Sequence, residues 1–145
     1  MKVSSRGRYG LRAMVDLAVY ESSGAIPLRE ISERQQISEQ YLEQLFASLR
    51  KAGIVKSVRG AHGGYLLNHP AEDITVGDIL TALEGPVAPA DCVLEKESCE
   101  KVTDCVAYDI WVEIKEKVEK LLNSITLADL KKKYQENSNG YIYHI

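Results

Sequence analysis

Apolar residues recur along this chain at intervals of three and four for most of its length, and that period predicts helices. Leu11, Met14, Val15, Ala18 and Val19 mark one buried face of a first helix, capped by Ser4 or Ser5 and running to about Ser22 before Gly24 ends it. Pro27 suits a helix start, so Leu28 to Gln35 form a short second helix, with Gln36 and Ile37 turning into Ser38. Ser38 then caps a third helix from Glu39 to about Ala52, whose inward face is Leu42, Leu45, Phe46 and Leu49. Gly53 follows, where a left-handed residue closes a helix. Two helices joined by so tight a turn make a helix-turn-helix.

The period then changes from helical to extended. Ile54 to Val58 and Tyr65 to Leu67 are short β-rich runs around the glycine-rich loop R-G-A-H-G-G, which predicts a hairpin wing. Thr75-Val-Gly-Asp78 opens a further helix through Leu83 with a capping box, and E-G-P-V-A-P-A-D interrupts regular structure after it. Ile110, Trp111, Ile114, Val118, Leu121, Leu122 and Ile125 restore the helical period over about five turns. The first domain already supplies its own core, so this long stripe is expected to bury itself against a second copy of the chain. Thr126 caps a last short helix through Tyr134, followed by polar Q-E-N-S-N-G and the apolar tail Y-I-Y-H-I.

The fold class expected is therefore mainly α with a small β hairpin: a winged helix-turn-helix domain plus a long dimerisation helix. Its divisions are residues 1–84 for the DNA-binding domain, 85–105 for a linker and cysteine-bearing loop, 106–125 for the dimerisation helix, and 126–145 for a short C-terminal helix and tail. No segment approaches the ~20 apolar residues of a membrane helix, and no apolar run follows the basic residues at the start, so a cytoplasmic protein is expected. No nucleophile–base constellation or phosphate loop suggests an enzyme.

Charge adds to this picture. The net charge is −3, yet residues 1–64 hold 10 Lys and Arg against 6 Asp and Glu, while residues 65–145 hold 8 against 15. The basic half is the one that would face phosphates. In a helix-turn-helix the second helix enters the major groove, so its outward residues Glu39, Gln40, Glu43, Gln44 and Arg50 are the candidate base readers. Gln40 and Gln44, one turn apart, can pair with adenine edges, and Glu43 can accept from cytosine. Arg59 on the wing suits a minor groove or a phosphate, His62 adds a donor, and Arg6, Arg8 and Lys56 are candidate backbone anchors.

Three cysteines, Cys92, Cys99 and Cys105, are the only ones in the chain and lie within 14 residues, C-V-L-E-K-E-S-C-E-K-V-T-D-C. An odd number without a secretory signal argues against a disulfide framework and toward metal or redox work. Their spacings, six and five intervening residues, differ from the C-x-x-C pairs of common zinc sites and can wrap an iron–sulfur centre. A structural zinc site and three inert thiols are the alternatives. Three thiolates leave one position for an oxygen or nitrogen ligand.

S-S-R-G-R-Y-G near the start, I-S-E-R-Q-Q-I-S-E-Q-Y-L-E-Q-L-F through the helix-turn-helix, V-R-G-A-H-G-G-Y-L-L in the wing and the three spaced cysteines closely resemble the iron–sulfur cluster regulators of the Rrf-two family of bacterial winged-helix repressors. The likeness covers residues 1 to about 130. It implies a homodimer with one [2Fe–2S] cluster per subunit on Cys92, Cys99 and Cys105, controlling cluster-assembly genes through double-stranded DNA operators. It further implies that Glu43 disfavours one operator class in the cluster-free form, and that Gln44 and Arg59 contact bases. Gln40 and the pair Ala61-His62 depart from the serine and the proline–glycine of well-known members.

The fourth ligand departs as well. Where those members have a histidine three residues after the third cysteine, this chain has Tyr108, and where other relatives place a partner-subunit carboxylate it has Arg8. Asp109 ranks ahead of Tyr108 if Cys105 starts a helix, with Asp104, Asp91, Glu43 and His62 behind them. The tail Y-I-Y-H-I resembles the end of the family's cysteine-metabolism repressor, which is regulated through an enzyme partner. A protein co-regulator is therefore the second reading, and an iron–sulfur carrier or redox protein the third.

Overall fold

The computed structural model describes residues 2–95 and 103–143. Six α-helices and one two-stranded hairpin occur among them: α1 Ser5–Tyr20, α2 Leu28–Gln35, α3 Glu39–Lys51, β1 Val55–Val58, β2 Gly64–Leu67, α4 Val76–Glu84, α5 Tyr108–Ser124 and α6 Leu127–Tyr143. Mainly α with a small hairpin is thus the architecture found. The predicted inward residues Leu42, Leu45, Phe46 and Leu49 are fully buried, and they meet Ala13, Met14 and Leu17 of α1 and Ile31 of α2.

The start of α1 is built to seat α4. Ser4 is its N-cap, accepting from the Gly7 N–H, and Ser4 N and Gly7 N also donate to the Glu84 carboxylate at 2.6 and 3.1 Å. A carboxylate at a helix N-terminus satisfies orphan amides and complements the dipole. A Cβ on Gly7 would meet Glu84, and one on Gly10 would meet Leu83, so both glycines allow the close approach of α4.

The wing hairpin is antiparallel, with Val55 opposite Leu67 and Val58 opposite Gly64. Ile26 extends it by a single bridge to Tyr65, with hydrogen bonds of 3.0 and 2.8 Å. Gly64 takes φ +153°, and a Cβ there would strike the Ile26 backbone, so the wing sits where only glycine fits.

The C-terminal expectation is corrected. In place of a short helix ending near Tyr134 and a tail, α6 continues through the polar segment to Tyr143. Thr126 and Asp129 form its capping box, with reciprocal hydrogen bonds of 3.0 and 3.1 Å. No proline follows to stop it, and a lone glycine such as Gly140 costs a helix only about 1 kcal/mol. Leu127 is fully buried in the winged-helix core, and α6 packs along α1. Val76 N to Ile125 O (2.8 Å) and Leu127 N to Ile74 O (2.7 Å) stitch the α5–α6 junction to the start of α4. The C-terminal helix therefore belongs to the same packed unit as the DNA-binding domain.

Candidate DNA interface and cysteine segment

Ser38 caps α3, its hydroxyl accepting from Tyr41 N at 3.1 Å, and Gln36, which closes α2, itself takes the left-handed region at φ 55°. The turn is held from outside by Arg12, whose Nη2 donates to Gln35 O at 2.7 Å. With the four apolar residues of α3 pointing inward, Gln40, Glu43, Gln44 and Arg50 are all exposed along its outer face. At the wing a turn closed by Gly63 N to Gly60 O (3.0 Å) presents Arg59 and His62 to solvent, with Lys56 exposed on β1. A helix face and a hairpin tip, both carrying hydrogen-bonding or cationic groups, are what groove and backbone contact require.

Arg6 occupies a different position from the one its charge suggested. Its Nε donates to Leu83 O at 3.0 Å and its Nη2 to Ser48 Oγ at 2.9 Å, so the half-buried guanidinium ties α1 to α3 and α4. A side chain engaged in this way is a brace, since reaching a phosphate would give up two hydrogen bonds. Arg8 is exposed, and its guanidinium's one hydrogen bond among the described residues is a 3.3 Å contact to Ser5 Oγ. Arg8 and Arg12 flank the Tyr9 ring at 5.7 and 5.5 Å, and Tyr9 meets Tyr41 of α3 edge-on at 6.1 Å.

One polar cluster escapes sequence reading. Asp16, 1% exposed, accepts from Arg34 Nε at 2.9 Å, Arg34 Nη2 at 2.7 Å and Gln35 Nε2 at 3.0 Å. The hydrogen bond to Asp16, with the carboxylate charge behind it, raises the Arg34 pKa above its ordinary value. Arg34 also lies over the Tyr20 ring at 3.9 Å. Hydrogen bonding to Tyr20, and then burial, raise the Tyr134 phenol above its ordinary value, so α6 is in touch with the same cluster. The only signal in the sequence is an aspartate on an otherwise apolar helical face.

Of the three cysteines, Cys92 is half-buried in a short 3₁₀ turn, Asp91–Val93, that packs on α5, and Cys105 is exposed before α5 begins. Both are free thiols, and Cys99 lies outside the described residues. Among the described residues no three His, Cys, Asp or Glu side chains gather into a metal-binding group. Cys105 does not start a helix as supposed. Its carbonyl accepts from Tyr108 N at 3.2 Å, closing a turn that makes Tyr108 the first residue of α5 and leaves Asp109 exposed in the first turn. Asp91 and Asp104 are exposed, while Glu43 and His62 lie on the reading helix and the wing. Two free thiols bracketing the third, at or near the surface, are a donor set that fits thiolate ligation.

The model of the Rrf2 family, described as an iron-dependent transcriptional regulator, matches residues 3–133. This chain belongs to the Rrf2 family. It is 46% identical over 130 residues to the HTH-type transcriptional regulator IscR of Serratia proteamaculans, covering 90% of this chain and 79% of that one. Against the HTH-type transcriptional regulator CymR of Bacillus subtilis it is 39% identical over 145 residues, all of both chains. The solved structure of T. potens IscR superposes with a TM-score of 0.75 at 46% identity, covering 99% of this chain and 96% of that one. The structure of CymR, the global cysteine regulator of B. subtilis, gives 0.75 at 43% identity over 92% and 98%. An Rrf2-family transcriptional regulator with a winged helix is thus established. No helix among the described residues is long and apolar enough to cross a membrane.

Proposed function

We propose that this Rrf2 protein is a homodimeric repressor that senses iron–sulfur status through a [2Fe–2S] cluster on Cys92, Cys99 and Cys105 and controls cluster-biogenesis genes. The observation that carries this reading is where the cysteines stand. They occupy the connection between the winged helix, ending at α4, and α5, whose apolar stripe is only partly covered. Ile110 is 54% and Leu121 58% exposed, and α5 has no buried residue. An apolar stripe of this length left in water is the mark of an interface. A second copy of α5 covers it in the proposed dimer.

The cluster, when bound, supplies occupancy that depends on iron and oxidant. The chain's own residues do the rest. Gln40, Glu43 and Gln44 read bases, Arg59 and His62 follow from the wing, and Lys56 and Arg8 meet phosphates. Tyr108 and Asp109, at the α5 N-terminus, are the candidates for the fourth ligand. Cluster occupancy at the cysteines biases the α5 pair, and coupling of ~1–3 kcal/mol changes operator occupancy visibly.

Anaerobic purification with an optical spectrum and metal counts tests the reading. About two iron and two sulfide per chain are expected, together with operators that need the cluster and operators that do not. A colourless zinc protein, or identical binding to every operator with and without cluster, would refute it. The full-length match to CymR favours a second reading, control by a protein co-regulator as in cysteine metabolism. A metal-free preparation that carries a bound enzyme would support that one.

A further inference from the structure

Between α1 and α6 lies a cleft of about 310 Å³, and of its lining residues the proposed cluster and operator chemistry uses Arg8 alone. Leu11, Val15 and Leu130 give it an apolar floor, and Arg8, Arg12 and Lys133 stand around it. Three cations share this small space with no acidic side chain among its described lining residues, in a chain whose net charge is −3. Asp16, one turn on from Arg12, does not neutralise them. It is buried and already accepts three hydrogen bonds from Arg34 and Gln35. An apolar floor with a few convergent polar groups is the usual make-up of a ligand pocket, and this volume suits a small molecule.

We propose that the cleft binds a small organic carboxylate with an aliphatic body, its charge held by Arg12 and Lys133 and its chain over Leu11, Val15 and Leu130. The site reaches the DNA reader through Arg12. That guanidinium now donates to Gln35 O, the last residue of α2, beside the left-handed Gln36 that turns the chain into α3. A carboxylate offers arginine a stronger, charge-assisted acceptor than a carbonyl. Its arrival draws the donor from the turn, loosens the setting of α3 and weakens operator binding.

Octanoate is the probe, titrated into the full-length ¹⁵N-labelled protein. Saturable amide shifts are expected at residues 8–15, 35–36 and 130–137, and saturating octanoate should lower operator affinity about fivefold. Lys133→Glu and Lys133→Gln, both at an exposed position, should weaken octanoate binding about tenfold and about threefold while circular dichroism stays unchanged. The neutral isostere 1-octanol should not reproduce the shifts. Overturning results are shifts absent or spread over α5, equal binding of octanol, Lys133 variants that bind octanoate like the parent chain, or operator affinity indifferent to octanoate.

Discussion

Replacing Arg34 by alanine should cost this protein far more than removal of an ordinary surface cation. Its side chain is 29% exposed, but the carboxylate it serves is not: the Asp16 side chain is 0% exposed and takes two of its three hydrogen bonds from Arg34. Arg34→Ala leaves that charge buried with Gln35 alone. Breaking a buried pair costs about 3–5 kcal/mol, and the open side of Arg34, through which water can reach the carboxylate, moves the figure to about 2–3. Loss of the guanidinium over Tyr20 adds about 0.5–1 kcal/mol, giving about 3 in all. A chain of this size loses about 2–4 °C of Tm per kcal/mol, so a fall of about 6–12 °C is expected.

Urea unfolding followed by far-UV circular dichroism, run as a double-mutant cycle, reads the pair directly. Asp16→Leu with Arg34→Met removes both charges together, and it should recover most of the loss, because no orphaned charge remains. Since Arg34 and Gln35 belong to the first helix of the helix-turn-helix, Arg34→Ala should also weaken operator binding under conditions where it remains folded. A loss below about 1 kcal/mol for Arg34→Ala would mean that the pair behaves as an exposed one, and the reasoning would fail.

Five further outcomes are expected. Arg59→Ala should weaken binding to operator DNA and flatten the dependence of log affinity on log salt by about one unit, measured by fluorescence anisotropy. Gly64→Ala should destabilise the fold by about 2–3 kcal/mol, since its Cβ strikes the Ile26 backbone. Gly60→Ala, at φ +109° with open space around it, should cost only about 1 kcal/mol in the same urea titration. Tyr134 has a raised pKa, so its contribution is complete below the ordinary value of 10.0 and is lost as pH climbs through the folded-state value. Tyr134→Phe should accordingly lessen the fall in stability as pH rises above about 10. Leu121→Glu places a charge in the α5 stripe and should turn the proposed dimer into a monomer by analytical ultracentrifugation.

The helices whose apolar period is strong could be read in advance. Leu28–Gln35 and the start of α3 lie where spacing and caps put them, because Pro27, Ser38 and the Leu42–Leu49 face are all local signals. The length of α6 could not be read, since its amphipathic signal is weak and packing against α1 supports it instead. Nor could the partners of polar side chains: Asp16 meets Arg34 across 18 positions, and Arg6 meets Leu83 across 77. Residue spacing reports which face a side chain shares within its own element. It says nothing of what the tertiary fold brings opposite.

That distinction divides the motifs of this chain by the kind of information they hold. In S-S-R-G-R-Y-G, Ser4 and Gly7 bond to Glu84, Arg6 braces α3 and α4, and Gly7 and Gly10 admit α4. Those residues are explained by the fold, so sharing them with relatives argues for a common architecture and no particular signal. Gln40, Glu43, Gln44 and Arg59 are different, being exposed and without side-chain hydrogen bonds or ion pairs in the described structure. Cys92 and Cys105 are likewise free thiols outside the core. Folding does not require their identities, and substituting any of them should leave stability within about 0.5 kcal/mol while changing what the protein binds. In the proposed function, the three cysteines and these four outward side chains are therefore the residues on which cofactor and operator choice depend.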